Sequence, residues 1–231
     1  MTFRKAAWIM LPFLCLCCAL TPGTIATQTM LGYRGEYEYG SGPGEGVPPG
    51  SGNCDNAGVI YPDNPFSGWP VDYRPDDWST ITFYFCNIYP DGSPHWGIDL
   101  GVPEENPETR VLSTTERAIV RQVQPCQEQP NCWNYGMGRY VQIEAQVRVL
   151  RYDECVADHG GNPEADACWA DSGWRATYMH LKETRVQEGQ IVYRGDPLGL
   201  SGNTGNSTGP HLHYQINSPS DGAVDPAPTM R

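Results

Sequence analysis

Positive charge is scarce in this chain. Its 231 residues carry 15 Lys and Arg against 27 Asp and Glu, a net charge of −12. A surface of that sign repels phosphate backbones, which excludes sequence-independent binding of DNA or RNA. Helical periodicity is nearly missing as well, and no internal repeat is present. The 26 Gly and 21 Pro interrupt the sequence instead. They exclude a helix bundle or coiled coil and predict short strands joined by many turns. No Cys-x-x-Cys pair occurs among the six cysteines from Cys54 onward, so the usual spacing of a cysteine zinc site is lacking there. Long apolar runs are lacking too: residues 6–20 form the one uncharged apolar stretch, which is short for a membrane span.

That stretch follows Arg4 and Lys5 and precedes Thr24-Ile25-Ala26, which offers small residues at the usual cleavage spacing. The pattern predicts a signal peptide over 1–26, cut after Ala26, with an uncut anchor or a lipid-modified Cys17 as alternatives. Cleavage removes two cations and no acid, so the charge deepens from −12 to −14. No membrane span is then expected. Six cysteines remain, an even number suited to disulfides in an exported chain. Short loops favour Cys54–Cys86, Cys126–Cys132 and Cys155–Cys168. Residues 27–53 hold GSGPGEGVPPGSG at 40–52, which cannot build a core and reads as a flexible arm. Residues 54–79 read as an extension packed on the domain, and 219–231 as a C-terminal tail.

Stretches 81–85, 117–123, 140–144, 147–150, 176–180, 190–193 and 211–216 have strand character, several with alternating apolar and polar residues. The fold class expected is mainly β, with few or short helices. Residues 151–173 break the rhythm and read as a disulfide-stapled loop between strands.

Histidine is the informative residue. His95 and Asp99 are four apart, and His211 and His213 two apart. In extended chain, even spacing places side chains on one face. Two imidazoles and a carboxylate suit Zn²⁺, which keeps one coordination position for water at catalytic sites. A run of glycines and small hydroxyl residues, from Gly199 to Pro210, leads into His211. Such a loop lets a substrate backbone approach.

HWGIDLGVP at 95–103, YMHLKE at 178–183 and GLSGNTGNSTGPHLHYQI at 199–216 resemble the lysostaphin/LytM-type zinc metallopeptidases, which cut peptides of cell-wall peptidoglycan. VLSTTERAIVRQV at 111–123, YGMGRYVQIE at 135–144 and VQEGQIVYRGDPLGLSG at 186–202 match the stretches between those motifs, in the same order. The resemblance spans 80–218, interrupted by the insertion at 151–173. It implies an antiparallel β-sheet sandwich or groove of the LytM type, built on a duplicated hybrid motif. It also implies one Zn²⁺ held by His95, Asp99 and His213, with His180 and His211 as catalytic histidines.

In that scheme His211 takes a proton from the zinc-bound water and His180 supports the oxyanion, or the two roles are exchanged. Tyr89 either donates its phenol to the oxyanion or packs in a strand. Asn203, Thr204, Ser207 and Thr208 either line the groove or shape the turn. His159 matches no motif and is expected to be exposed and idle. The insertion, the three disulfides and the acidic charge depart from the family pattern. The insertion is expected to border the groove. The activity expected is that of an exported, monomeric endopeptidase, secreted, periplasmic or envelope-associated, cutting peptidoglycan cross-bridges or stem peptides. The alternative is a non-catalytic envelope protein that binds wall or activates a hydrolase.

Overall fold

The computed structural model describes residues 54–73, 80–102, 109–126 and 132–230. The expected signal peptide and Gly/Pro-rich arm lie outside the described residues. Along the chain run β1 (Ile81–Phe83), β2 (Ile98–Gly101), β3 (Arg110–Leu112), β4 (Arg117–Gln124) and β5 (Arg139–Arg148). Helix α1 (Tyr152–Asp158) follows, then β6 (Trp169–Leu181), β7 (Glu183–Thr184), β8 (Ile191–Tyr193), β9 (Pro197–Leu200), β10 (His211–Ser218) and β11 (Gly222–Val224). The main sheet is antiparallel in the order β1-β2-β10-β6-β5-β4-β8, with β11 on β10; β3, β9 and β7 form a second, smaller sheet. This is the mainly β, antiparallel fold that the sequence implies. No helix among the described residues is long and apolar enough to cross a membrane.

Strand periodicity builds the core. Ile98 and Leu100 on β2, Leu212, Tyr214 and Ile216 on β10, and Ala176 and Tyr178 on β6 alternate along their strands and are fully buried. Val111 and Leu198 of the smaller sheet are buried in the same cluster. Phe66 and Val71, ahead of the first strand, join it and form bridges to Thr115 and Val111. Each such side chain contributes about 1.5–3 kcal/mol when fully buried. The hydroxyl groups of Tyr178 and Tyr214 meet Thr114 Oγ1 at 3.4 and 2.8 Å, so neither polar tip is stranded.

All three expected disulfides are present, with Cα separations of 5.6, 5.5 and 5.7 Å for Cys54–Cys86, Cys126–Cys132 and Cys155–Cys168. Three expectations need correction. The stretches at 140–144 and 147–150 belong to one strand, β5, which ends at Arg148. Its alternation is masked because Glu144 is buried, neutralised by Arg121 at 2.7 Å and Arg175 at 3.3 Å. Residues 219–230 are not a tail: β11 pairs with β10, and Met230 is buried in the core.

The insertion, finally, is not a plain loop and does not border the groove. It contains α1, and its last residues already belong to β6. Register places it: Arg148 pairs with Trp169 at one end of the β5–β6 hairpin, and Arg139 pairs with Leu181 at the other. At about 3.3 Å per residue those ends are roughly 30 Å apart. The insertion is fastened at its own end. Buried Arg117 of β4 donates to Asp166 and lies 5.2 Å from the centre of the Trp169 ring, while Tyr193 of β8 donates to Glu164 at 2.6 Å.

Candidate active site

Strand β10 presents His211 and His213 on one face because they are two residues apart. The antiparallel register sets Asp99 of β2 directly beside His213, with Met179 of β6 on its other side. His95 comes from the loop ahead of β2 rather than from a strand. Its backbone is tied down: Cys86 N donates to His95 O at 2.7 Å, and His95 N donates to Asn87 O at 2.8 Å. Cys86 is itself bound to Cys54.

These elements bring three donor atoms together. His95 Nε2 lies 3.1 Å from Asp99 Oδ1 and 2.9 Å from His213 Nδ1, and His213 Nδ1 lies 2.9 Å from Asp99 Oδ1. A tetrahedral zinc site with N and O bonds of about 2.0–2.1 Å has edges of about 3.3 Å, close to these separations. His95 Nδ1 is 3.0 Å from the carbonyl of Tyr84 and must donate to it, so the neutral ring turns a bare Nε2 toward the other two atoms. Lone pairs gathered this closely fit a divalent cation. Burial opposes the charge on Asp99, but its polar contacts with the His213 and His95 rings outweigh it and hold the carboxyl well below the usual carboxylate range. Burial likewise pushes His213 down, toward the neutral form that ligates metal.

Gly97 makes room for this arrangement. A Cβ there would fall 2.7 Å from His213 Nε2 and 2.6 Å from the Tyr214 carbonyl, so any larger residue displaces His213.

His180 is placed by a bulge. Arg139 pairs with Leu181 and Val141 with Tyr178, leaving Met179 and His180 opposite the single residue Tyr140. His180 has φ +63°, a left-handed conformation uncommon for a residue with a side chain. Its N–H donates to Met137 O at 2.9 Å, and its Nδ1 donates to Thr204 O at 2.8 Å. The ring lies beside His211, centre to centre 4.7 Å. His211 Nδ1 donates to Gly209 O at 2.8 Å, leaving its Nε2 3.7 Å from Asp99 Oδ1. Both rings therefore keep Nε2 as an acceptor. Burial, with repulsion from His211 and His213, pushes His180 down to about 3, so it stays neutral near neutral pH.

The remaining candidates divide. Thr204 Oγ1 donates to Leu181 O at 2.9 Å and accepts from Arg139 N at 3.0 Å, while Ser207 Oγ donates to Gly209 O at 2.8 Å and lies 3.1 Å from His211 Nδ1. Both shape the loop around a histidine. Asn203 and Thr208 are exposed on the same loop. Gly205 (φ +77°) lets this loop touch the 136–138 turn; a Cβ there would lie 2.3 Å from Gly138 N. Tyr89 packs edge-on against His95, with ring centres 5.6 Å apart, and beside Phe83 at 5.1 Å. Burial, then Asp99 and Asp91, raise its phenol so that it remains protonated. His159 is exposed, far along the chain from this cluster, and lies close to two sulfurs. Sequence reasoning missed the carbonyls of Tyr84, Thr204 and Gly209, which fix the tautomers of three histidines. No side-chain pattern encodes a carbonyl's position.

An antiparallel β domain with a two-histidine, one-aspartate cluster and two further histidines beside it defines a metallopeptidase-type domain. Residues 168–226, which include His180, His211 and His213, match the model of Peptidase family M23. An uncharacterized metalloprotease of Buchnera aphidicola is 62% identical over 132 residues, covering 57% of this chain and 25% of that protein. Lysostaphin of Staphylococcus simulans is 34% identical over 105 residues, covering 42% and 21%. The peptidoglycan DD-endopeptidase ShyA of Vibrio cholerae is 59% identical over 39 residues, covering 17% and 9%. The chain thus spans a quarter or less of the length of these curated relatives. Among solved structures, a zinc-containing peptidase from Vibrio cholerae is 28% identical with a TM-score of 0.46, covering 69% of this chain and 38% of that one.

Proposed function

We propose that this chain is an exported zinc endopeptidase that hydrolyses peptide bonds in peptidoglycan cross-bridges or stem peptides. The observation that carries the proposal is the meeting of His95 Nε2, Asp99 Oδ1 and His213 Nδ1 within 3.1 Å of one another. Zinc bound by these three atoms would polarise a scissile carbonyl and lower the pKa of its water. The chain's own residues supply proton handling and orientation. His211 accepts a proton at Nε2, since its Nδ1–H is committed to the Gly209 carbonyl. His180, held neutral, offers a second acceptor at Nε2. Two acceptors meet the two O–H bonds of one attacking water and fix its direction. His211 then returns the proton to the departing amine. A neutral His180 with Nδ1 committed to Thr204 O has no proton to give an oxyanion, so that duty falls to the protonated phenol of Tyr89.

The substrate reading draws on ShyA, whose name describes a peptidoglycan DD-endopeptidase. An acidic chain gains no long-range attraction to wall anions, so recognition rests on short-range contacts in the groove. The test is mass spectrometry of fragments released from peptidoglycans of defined cross-bridge composition, with and without a chelator. Chelator-sensitive release of peptide fragments is expected. A chain loaded with stoichiometric zinc that releases nothing from any of them would overturn the proposal.

A further inference from the structure

We propose that Cys155, His159 and Cys168 form a second divalent-cation site when their disulfide is open, selective for soft-ligand metals such as Zn²⁺. The site lies in the insertion, roughly 30 Å along the β5–β6 hairpin from the His180 end. Cys155 and His159 are four residues apart, at the last turn of α1, and share one helix face. Cys168 reaches the same point from the short turn Asp166–Cys168. His159 Nδ1 sits 3.7 Å from Cys155 Sγ and 4.0 Å from Cys168 Sγ, nearly equidistant from the two sulfurs. In a tetrahedral zinc site with Zn–S of about 2.3 Å and Zn–N of about 2.0 Å, the S–N edges are about 3.5 Å. Two of three edges therefore need little adjustment, and only the sulfur–sulfur edge must open, to about 3.8 Å.

The histidine is free to change its role. Its Nδ1 contact to the Cys155 carbonyl, at 2.8 Å, duplicates one that the His159 backbone N–H already makes to that oxygen at 3.1 Å. The ring is exposed, so water can take the proton on Nε2 when Nδ1 ligates. Cysteines leave synthesis as thiols, so the open form necessarily precedes the disulfide. The closed form is opened by a dithiol reductant: the reductant gives two electrons and two protons, becomes a disulfide itself, and leaves two thiols on the protein. Metal binding then releases both thiol protons, one from each sulfur. The cation and the disulfide need the same two sulfurs and exclude each other. Either one holds α1 against the start of β6.

The experiment is anaerobic titration of the full chain with Co²⁺, before and after reduction with a phosphine. The His95, Asp99 and His213 donors contain no sulfur, so a near-ultraviolet thiolate-to-cobalt band reports on this site independently of the peptidase reading. The expected result is a second equivalent of Co²⁺ with that band in the reduced protein alone. Cys155→Ser should abolish the band, and His159→Ala should weaken binding by about tenfold or more. A band that survives Cys155→Ser, an unchanged affinity in His159→Ala, or no second equivalent after reduction would each overturn the proposal.

Discussion

Replacing Thr204 by Val tests whether the glycine-rich loop is a positioning device or only a groove lining. The side chains have nearly the same shape, so packing is conserved while the hydroxyl is lost. That hydroxyl bridges Leu181 O and Arg139 N at 2.9 and 3.0 Å, joining the loop to both central strands. Stranding two backbone groups at a half-buried place costs about 2 kcal/mol, toward the low end for unsatisfied polar groups. For a domain of this size that corresponds to a fall in Tm of about 4–8 °C. The Thr204 carbonyl also holds His180 Nδ1, so loosening the loop frees that ring, and turnover should fall about tenfold. Metal content should not change, because Thr204 makes no hydrogen bond to His95, Asp99 or His213. Thr204→Ser keeps the hydroxyl and should stay within about 2 °C of the parent. Calorimetry with metal analysis on the three proteins decides the matter. A Tm within about 1 °C of the parent for Thr204→Val, or loss of metal from it, would refute the reasoning.

Further outcomes follow from the same geometry. Asp99→Ala removes the anionic donor, and elemental analysis should find the variant without the roughly one equivalent of zinc expected for the parent. His211→Ala should retain metal yet lose about 10²–10⁴-fold in turnover on any substrate the parent cleaves; near-parental cleavage would remove His211 from proton transfer. His180 binds its proton less readily folded (about 3) than unfolded (about 6.5), so the unfolded chain takes up more protons between those values. Its contribution to stability is present above pH 6.5 and is lost as pH falls toward 3. Acid titration of metal-free protein should show a shallower loss for His180→Gln. Cys54–Cys86 spans 32 positions, and opening it should cost about 3–4 kcal/mol. Equal unfolding midpoints for Cys54→Ser and the parent would contradict that.

The sequence spoke most clearly where chemistry is local. A two-residue spacing placed His211 and His213 on one face, and strand alternation found the central sheet. The pairing of six cysteines followed from short loop closure. What stayed hidden depends on register and on backbone atoms. Nothing in the composition says that Asp99 lies across from His213, because register is a property of two strands together. The bulge that carries His180 shows only as an ordinary apolar stretch, and the buried Glu144 disguised β5 by breaking its alternation. Sequence order shows that the insertion joins β5 to β6, but not that their shared turn lies at the far end from His180, because that depends on how the strands pair.

That last point has a practical side. A stapled, self-anchored tip at the remote end of the longest hairpin is a natural socket for engineering. A fluorophore, affinity handle or foreign binding loop spliced between Arg151 and Cys168 would sit well clear of the cluster of His95, Asp99 and His213. Such chimaeras would add a new binding function without touching the strands that carry the histidine cluster.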